Sequence, residues 1–488
     1  MKLHILGLGN VGSLLAHHIR LRHPAPPIVV ALTDRALVKR FTDRHRLRPD
    51  DRYPGLYAGL TLNIRTEPRV DVESSSDYLV CDYSRRSDLH APQHPTSEPI
   101  SLLIVTTKTH QTTKALSVLK DKLSRDSTIF ILQNGMGLVD DIFNEVFPDR
   151  HSRPTMIFGN TNHGIRYKES DQVNTQDSSA SVYKSAGSRI YHHTGLGDIH
   201  YAILPTLLQK DTDSSEGYTM ALLHKLKSLP SSGEAISEKT ITESAVRDAS
   251  LPRSTLEMLD ILSSLETLRP NLIPWQDLLI KQLIKLPVNA FINTITAILR
   301  TSNAFCLEEE ALQIARQVAG ECELIYSRLL GHPDSKARNF ETSKSVDNSY
   351  LTQPAVLSNG SPRNNSPDAT KNTESKWIVP EHFSALRADA IFDSIVHTAR
   401  LTGSNFSSMA SDVWNDTGSK SGESNYIETF PANRSNSSTE IEYINGYLHK
   451  LAKATGVNAS TITITTLASL VILTERNLKF GVSQRRSG

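Results

Sequence analysis

The stretch LHILGLGNVG, residues 3–12, decides the fold of the N-terminal part of this 488-residue chain. Its first four residues, Leu3–Leu6, form a short apolar run that is typical of a buried strand, and a glycine-rich turn follows. Apolar residues at helical spacing come next, and a second apolar run occupies Ile28–Leu32. The order strand, helix, strand predicts a βαβ unit and therefore a parallel sheet.

Three glycines in this stretch have the spacing G-x-G-x-x-G, directly after a predicted strand and at the start of a helix. Gly7 permits the tight turn, Gly9 lets the backbone approach a pyrophosphate, and Gly12 allows close packing of helix and strand. The amides at the start of the helix then bind the anion. The alternative is a glycine-rich turn that binds no ligand. We predict a dinucleotide site formed by Gly7, Leu8, Gly9, Asn10, Val11 and Gly12.

The end of the second predicted strand carries both residue types that select between NAD and NADP. An acid about 20 residues beyond the glycines accepts a hydrogen bond from the ribose 2′-OH of NAD, whereas an arginine accommodates the 2′-phosphate of NADP. Asp34 and Arg35 stand side by side at this place. These two residues leave the choice of cofactor open.

Beyond this unit the chain divides into strands, loose segments and helices. Further strands are predicted at Ile100–Val105 and Thr128–Leu132, and the C-terminal half contains long apolar helical tracts. Polar, Ser- and Asn-rich composition predicts loop-like insertions at 66–99, 168–187, 209–254, 334–376 and 415–438. We predict an α/β Rossmann-type domain over 1–165, a loosely structured connecting region over 166–270, and an all-α C-terminal domain over 271–488.

Composition excludes several classes of protein. The chain has 53 Lys and Arg against 52 Asp and Glu, so it lacks the excess of basic residues that nucleic-acid binding requires. Three widely separated cysteines exclude a disulfide framework and a thiolate zinc site, and we predict no bound metal. The first residues are too short for a signal-peptide core, and no stretch matches the roughly 20 apolar residues of a membrane span. We expect a cytoplasmic protein, with a mitochondrial location left open.

The tract KQLIKLPVNAFINTITAIL, residues 281–299, places three polar side chains on one face of an apolar helix. Lys285, Asn289 and Asn293 are spaced at i, i+4 and i+8. An otherwise apolar helix is a buried one, so these groups need polar partners. A polar substrate is one possibility. The other possibility is that the lysine pairs with a neighbouring carboxylate and the two amides bond to backbone groups. The residues alone do not decide between the two possibilities.

The tract TEIEYINGYLHKLAKATG, residues 439–456, has the start and stop signals of a helix. Thr439 and Glu442 have the spacing of a capping box, and Gly456 is suited to end the helix. Glu440 takes part in neither the capping box nor the end of the helix. Considered alone, it is best interpreted as a first-turn acid that complements the helix dipole.

Taken in chain order, these motifs resemble the ketopantoate reductase family. The resemblance rests on GLGNVG, VTTKTHQT with Lys108, QNGMG with Asn134, KLPVNAFIN with Lys285, and NFSSMASDV with TEIEYINGY. It implies a Rossmann-type domain followed by an all-helical domain. It also implies NADPH-dependent reduction of 2-dehydropantoate (ketopantoate) to pantoate, a step of pantothenate and coenzyme A biosynthesis.

The resemblance further implies roles for individual residues. Lys285 matches the family's catalytic lysine, which protonates the carbonyl oxygen, and Glu440 matches the acid that helps to hold the substrate. Pro287 stands where the family usually has a small residue, which affects the expected helix geometry more than the reaction class. The matched substrate-binding positions are Asn289, Asn293, Ser408 and Asn405, and the matched cofactor-binding positions are Lys108, Asn134 and Arg35, the last at the 2′-phosphate.

Two alternatives to this function remain open. One is a reductase of another branched 2-oxo acid, because nothing in the sequence identifies the pocket for the dimethyl group. The other is a non-catalytic dinucleotide-binding regulator. The joint presence of Lys285, Asn289, Ser408 and Glu440 favours an enzyme, because a regulator has no need of a buried lysine. A small-molecule substrate is expected, without nucleic acid or membrane partners, and a homodimer is compatible with this picture.

Overall fold

A computed structural model describes twelve segments of the chain: 2–25, 27–45, 47–52, 55–60, 62–66, 78–84, 98–168, 189–205, 217–227, 251–333, 377–416 and 439–486. The insertions predicted at 168–187, 334–376 and 415–438 lie almost entirely outside the described residues.

Strands and helices alternate through the first third of the chain, as the sequence predicts. In order they are β1 (Leu3–Leu6), α1 (Asn10–Arg22), β2 (Ile28–Leu32), α2 (Arg35–His45), β3 (Arg48–Pro49), β4 (Leu56–Leu60), β5 (Leu62–Thr66), β6 (Tyr78–Asp82), β7 (Leu102–Val105), α3 (Thr109–Leu119), β8 (Thr128–Leu132), α4 (Leu138–Asp141), β9 (Thr155–Thr161) and β10 (Gly164–Lys168).

The remaining described elements are mostly helical. They are β11 (Arg189–Gly195), β12 (Ile199–Ile203), α5 (Tyr218–Lys227), α6 (Arg253–Ser263), β13 (Pro270–Leu272), α7 (Trp275–Leu299), α8 (Glu309–Leu330), β14 (His332–Pro333), β15 (Trp377–Ile378), α9 (Ala388–Leu401), α10 (Ser408–Asp416), α11 (Asn445–Ala454) and α12 (Ile462–Arg486).

Ten of the described strands form one sheet in the order β13-β12-β9-β8-β7-β1-β2-β6-β4-β3. The six central strands, from β9 to β6, are parallel. From β1 the chain proceeds to β2 on one side and later to β7 on the other, so the strand order reverses at β1. Ligands of such sheets bind outside the carboxyl ends of the strands at this switch point.

The prediction of an insertion over 66–99 is wrong at its centre. Residues Tyr78–Asp82 form β6, which pairs in parallel with β2 and is almost wholly buried. The sequence analysis missed this five-residue strand because the long polar stretches on both sides dominate the composition of 66–99. The insertion predicted over 209–254 is wrong in the same way, since it contains α5, whose Leu222 and Leu226 are buried in the core.

The segment between 166 and 270 contributes further strands to the edge of the sheet. β12 pairs antiparallel with β9, and β13 pairs with β12. α6 packs on the face of the sheet opposite to α7, and the hydroxyls of Ser254 and Thr255 lie 2.8 Å from the hydroxyl of Thr128 on β8. Polar and histidine residues interrupt the apolar runs in these strands, so the sequence shows no clear strand pattern there.

The C-terminal part is built around α7, which contacts α8, α9, α10 and α12. α7 is long and apolar enough to cross a membrane by length and composition, but 67% of its apolar window is buried inside the protein, as in a core helix. The predicted architecture, a Rossmann-type α/β domain followed by a helical domain, is confirmed.

Candidate active site

The glycine-rich loop between β1 and α1 leaves room for a ligand at one position. Gly7 has a φ of +98°, and a side chain there would meet the backbone of Thr107 on the next loop. A side chain on Gly12 would collide with the carbonyl oxygen of Gly7. A Cβ on Gly9, in contrast, would meet no atom of the described residues within 4 Å. The loop therefore closes tightly at its two ends and is open in its middle, as a dinucleotide requires.

The start of α1 is suited to bind an anion. Gly9 is the N-cap and provides no side-chain hydrogen bond to the helix amides, and the first turn contains no acidic residue. Asn10 is fixed by a hydrogen bond of 3.1 Å from its Nδ2 to the carbonyl oxygen of Ile165. Leu8 is buried and Val11 packs against the core. The free amides and the positive end of the helix dipole fit a pyrophosphate.

Asp34 and Arg35 occupy different positions at the end of β2. The carboxylate Oδ1 of Asp34 accepts a hydrogen bond of 2.9 Å from the amide of Leu37, so Asp34 caps α2. Arg35 is the first residue of α2 and is exposed, as is Lys39 one turn later. One oxygen of the acid is thus committed to the helix, while two cations face solvent.

Lys285 projects from α7 to the carboxyl end of β9. Its Nζ donates hydrogen bonds of 2.8 Å to Oδ1 of Asn160 and of 2.7 Å to the carbonyl oxygen of Thr161. Burial lowers the pKa of Lys285 to about 8, and the charge of Glu440 opposes this shift. Both hydrogen-bond partners of Lys285 are neutral groups. The sequence had left open a neighbouring carboxylate as the partner, and the structure shows none bonded to Nζ among the described residues. A lysine in this state is a suitable proton donor near neutral pH.

Glu440 is buried beside the end of β7. Its Oε1 accepts a hydrogen bond of 3.1 Å from the amide of Thr109 and lies 2.7 Å from the Thr109 hydroxyl. The Thr109 hydroxyl is also 2.8 Å from the carbonyl oxygen of Asn134. Because it has one proton, it donates either to this carbonyl oxygen or to Glu440 Oε1 at any one time. The α-helix predicted from Thr439 begins later than expected, because a single 3₁₀ turn covers Ile441–Tyr443 after Glu440 and α11 begins at Asn445. The acid is thus held by the Rossmann-type domain and not by a helix dipole.

The QNGMG loop packs directly against the segment that carries Glu440. The amide of Met136 donates a hydrogen bond of 2.9 Å to the carbonyl oxygen of Tyr443, and the Tyr443 hydroxyl donates one of 2.7 Å to Oδ2 of Asp141. Gly135 has a φ of +84°, and a Cβ there would lie 2.7 Å from the backbone oxygen of Tyr443. The two segments approach this closely because the loop residue lacks a side chain. Asn134 and Glu440 are held together as a result.

Lys108 links the two domains at the same cleft. Its Nζ lies 2.9 Å from Oδ2 of Asp412 on α10. Lys108 immediately precedes α3, whose first residue is the Thr109 that binds Glu440. The family-matched lysine is therefore at the domain boundary, close to the candidate catalytic acid.

The predicted substrate-binding residues lie along α7 and at the start of α10. The side chains of Asn289 and Asn293 form no hydrogen bond with the described residues, and both follow Lys285 on one helix face. Ser408 is exposed at the first position of α10, and Asn405 is partly exposed in the preceding loop. The neighbouring Ser407 ties this loop to α7 through a hydrogen bond of 2.7 Å from the Thr296 hydroxyl. Their roles toward a substrate stay predictions.

Sequence reasoning misses the residues that hold the predicted ones in place. Asn160 and Thr161 contact Lys285, Thr109 contacts Glu440, and Asp412 contacts Lys108. Each lies far in sequence from the residue that it contacts. The available signal was their position in the sequence, because Thr109 follows a parallel strand and Thr161 ends one, at the edge of the sheet where ligands bind. Among the described residues, no group of three His, Cys, Asp or Glu is placed to hold a metal ion.

Comparison with known proteins yields one family and two curated relatives. Residues 58–201 match the family described as "Ketopantoate reductase PanE/ApbA". The "Probable 2-dehydropantoate 2-reductase" of Schizosaccharomyces pombe is 25% identical over 330 residues, which are 67% of this chain and 73% of that protein. The "2-dehydropantoate 2-reductase" of Saccharomyces cerevisiae is 24% identical over 366 residues, 73% of this chain and 77% of the relative.

Solved structures share the fold at low sequence identity. A ternary complex of D-mandelate dehydrogenase with NADH and anilino(oxo)acetate has a TM-score of 0.54 and 15% identity, covering 98% of this chain and 99% of that one. A PanE/ApbA family ketopantoate reductase from Ralstonia eutropha JMP134 has a TM-score of 0.50 and 13% identity, covering 98% of this chain and all of the other. These structures show a shared fold, and the family match and the curated relatives confirm the resemblance seen in the sequence.

Proposed function

We propose that this relative of the ketopantoate reductases catalyses NADPH-dependent reduction of 2-dehydropantoate to pantoate, a step of pantothenate and coenzyme A biosynthesis. The observation that carries the proposal is Lys285, held at the carboxyl edge of the sheet with a pKa of about 8 and within electrostatic reach of Glu440. The names of the family and of both curated relatives support the same substrate.

The proposed chemistry needs a proton donor at one atom of the substrate. A bound nicotinamide cofactor supplies a hydride to the 2-oxo carbon. Negative charge then develops on the carbonyl oxygen, and Lys285 donates a proton to it. Because its pKa is near 8, the lysine is mostly protonated at pH 7 and is still acidic enough to transfer the proton. Such general acid catalysis typically contributes about 10²–10⁴-fold to the rate.

The partners of Lys285 also orient it. A lysine ammonium has three N–H donors, and Asn160 and Thr161 accept two of them. The third remains for the substrate oxygen. The side-chain amides of Asn289 and Asn293 lie on the same helix face without partners among the described residues, and they supply donors for the substrate carboxylate. Holding the 2-oxo acid in this way places its carbonyl carbon for reaction.

Glu440 completes the arrangement from the segment that precedes α11. Thr109 binds its Oε1, and Oε2 accepts no hydrogen bond from the described residues. The second oxygen is therefore available to a hydroxyl of the substrate or product. The negative charge also favours the protonated form of Lys285 before the proton is transferred.

The preference for NADPH is part of the proposal. Asp34 would repel a 2′-phosphate if it faced the ribose, but its Oδ1 caps α2 instead. Arg35 and Lys39 are exposed at the same end of β2 and provide positive charge for the phosphate. A cytoplasmic location and a homodimer are likewise proposed, the latter to be measured by sedimentation of the purified full-length chain.

The direct test is NADPH oxidation by the purified chain with 2-dehydropantoate and a panel of other 2-oxo acids. Turnover of 2-dehydropantoate supports the proposal. Turnover confined to other 2-oxo acids would replace the substrate while keeping the reaction class. Tight NADPH binding without turnover of any 2-oxo acid would overturn the proposal and favour a non-catalytic regulator.

A further inference from the structure

Gln133 follows β8 and joins the QNGMG loop to the neighbouring loop between β7 and α3. Its Nε2 donates hydrogen bonds of 2.6 Å to the carbonyl oxygen of Thr107 and of 2.5 Å to the hydroxyl of Thr112. The Thr107 hydroxyl lies 3.2 Å from the same nitrogen and 2.8 Å from the Thr112 hydroxyl. One amide group thus connects the loops that follow two adjacent parallel strands.

The Gln133 amide acts through its donors. A carbonyl oxygen such as that of Thr107 only accepts hydrogen bonds, so the Nε2 side of the amide has to face it. Oε1 of Gln133 is then buried without a hydrogen-bond partner among the described residues. The contribution of Gln133 to this region is therefore its two N–H donors.

The two connected loops lie between the proposed ends of a bound cofactor. The pyrophosphate site is at the glycine-rich loop after β1, and Lys285 lies at the carboxyl end of β9, where it binds Thr161. In the sheet, β7 and β8 lie between β1 and β9. A dinucleotide that reaches from the glycine-rich loop to a carbonyl beside Lys285 has to cross the carboxyl ends of β7 and β8. Its nicotinamide half therefore lies over the loops that Gln133 connects.

The glycine-rich loop has a support that does not involve Gln133. The amide of Thr106 donates a hydrogen bond of 2.9 Å to the carbonyl oxygen of Leu6, and the Thr106 hydroxyl donates one to the carbonyl oxygen of Gly7. Both bonds join the end of β7 directly to the end of β1. Loss of the Gln133 donors should therefore loosen the segment after Thr106 more than the glycine-rich loop.

We propose that Gln133 is a positioning residue that fixes the surface on which the nicotinamide half of the cofactor lies. The proposal rests on the proposed function. Gln133 acts through Thr107 and Thr112, and the Thr112 hydroxyl in turn lies 3.1 Å from the carbonyl oxygen of Lys108 at the start of α3. The bonds of Lys285 go to other residues. Gln133 therefore affects the placement of the nicotinamide ring for hydride transfer, and the proton donor is unaffected.

The experiment compares the binding of NADPH with that of 2′-phospho-ADP-ribose, which has the adenosine and pyrophosphate parts but no nicotinamide. Gln133→Met in the full-length protein keeps the length of the side chain and removes both donors. By isothermal titration calorimetry, its dissociation constant for NADPH should rise about tenfold, and that for 2′-phospho-ADP-ribose by less than about threefold. A merely structural role would lower the melting temperature and leave the ratio of the two constants unchanged.

Turnover gives an independent readout for the same variant. The kcat of Gln133→Met for 2-dehydropantoate should fall about tenfold or more, because the nicotinamide ring is less well placed. The fall of activity at alkaline pH should stay at the wild-type position, since the hydrogen bonds of Lys285 to Asn160 and Thr161 are retained.

Thr112 provides a second variant with its own control. Thr112→Val removes the hydroxyl that accepts from Gln133 and should reproduce the selective loss of NADPH affinity. Thr112→Ser retains the hydroxyl and should bind NADPH as the wild type does. Gln313→Met makes the same change as Gln133→Met on the exposed face of α8 and should leave both dissociation constants unchanged. If Gln133→Met fails to fold, as judged by thermal melting, the two Thr112 variants carry the test.

Equal changes in the two dissociation constants, or no change in either, in folded Gln133→Met and Thr112→Val proteins would overturn the proposal and leave the proposed function intact. A wild-type protein that binds NADPH but reduces no 2-oxo acid would contradict the proposed function alone, because the comparison of the two ligands does not need turnover. A wild-type protein that binds neither ligand would contradict the proposed function and the role of Gln133 together.

Discussion

The hydroxyl of Tyr326 on α8 donates a hydrogen bond of 2.8 Å to the backbone carbonyl of Leu283 on α7. This carbonyl is the one that a residue at 287 would bond in a regular helix, but position 287 is a proline and has no N–H. Tyr326 is wholly buried, as is Leu283. A side chain from the neighbouring helix thus replaces the missing backbone donor, two residues before Lys285, the proposed proton donor.

We predict that Tyr326→Phe destabilises the protein by about 1–3 kcal/mol, because a buried carbonyl is left without a donor. Pro287→Ala in the same protein restores an N–H at the right position, so the double variant should be more stable than Tyr326→Phe alone. Urea unfolding of the wild type, both single variants and the double variant measures the coupling. Simple additivity of the two changes would show that the hydrogen bond does not compensate for the proline.

Removal of the proposed proton donor is expected to affect turnover and not cofactor binding. Lys285→Ala should lower kcat by about 10² or more, because the developing alkoxide loses its acid. The dissociation constant for NADPH should change little, since the lysine contacts Asn160 and Thr161 rather than the glycine loop. Lys281→Ala, one turn earlier on α7, is the matched control and should retain activity. Near-normal turnover in a folded Lys285→Ala protein would reject the assignment.

Activity should depend on the protonation of Lys285. The active form is protonated, so kcat/KM is expected to fall as the pH rises through about 8. Asn160→Asp places a carboxylate beside Nζ, which raises the pKa of the lysine and moves this fall to higher pH. Glu440→Gln removes a charge that raises the same pKa, and it should move the fall to lower pH. Shifts of both variants in the same direction would contradict the assignment of this limb to Lys285.

Much of the fold was predictable because its signals are local. The strands Leu3–Leu6 and Ile28–Leu32 occur with the boundaries that their apolar patterns predict, and the apolar tract 281–299 lies within one helix, Trp275–Leu299. β6 and α5 were missed because a short apolar run between long polar segments has too few residues to show a period. A hydrophobic pattern predicts a helix or strand most clearly where the pattern is long and continuous.

The candidate site was predictable in its residues but not in its contacts. The polar face of α7 stands out in the sequence because apolar helices rarely carry one, whereas Glu440 is singled out only by the resemblance to the family. The contact between Thr109 and Glu440 joins residues 331 positions apart, and no local pattern encodes it. The capping-box spacing at Thr439 was misleading about the start of the α-helix, because a 3₁₀ turn over Ile441–Tyr443 precedes α11.

Four histidines form a cluster: His17 and His18 on α1, His163 between β9 and β10, and His193 on β11. Nδ1 of His163 lies 3.0 Å from Nε2 of His193, and the ring of His18 packs edge-on against both His193 and His17. Burial lowers the pKa of His17 and His193 to about 4 and that of His18 to about 3. These side chains are neutral in the folded protein at pH 6, whereas in the unfolded chain they take up protons below about pH 6.5.

The free energy of unfolding is therefore expected to fall as the pH drops from about 6.5 to about 4. Each such histidine contributes at most about 1.4 kcal/mol per pH unit, because the unfolded chain binds a proton that the folded protein does not. His193→Gln should weaken this dependence while changing little at pH 7.5. The exposed His151 provides the control His151→Gln, and urea unfolding at several pH values is the measurement. An unchanged slope in His193→Gln would show that the cluster does not govern acid stability.

The choice of cofactor is expected to depend on the two neighbours at the end of β2, Asp34 and Arg35. We predict that the wild type prefers NADPH by kcat/KM, and that Arg35→Ala erodes the preference because the 2′-phosphate loses a charge-assisted partner. Asp34→Ala should enlarge it by removing negative charge, but it also removes the cap of α2, at a cost of about 1 kcal/mol. Asp34→Asn keeps an Oδ1 acceptor for the Leu37 amide and separates the two effects. Steady-state kinetics with NADPH and NADH on these four proteins decides the matter, and a wild type that prefers NADH contradicts the prediction.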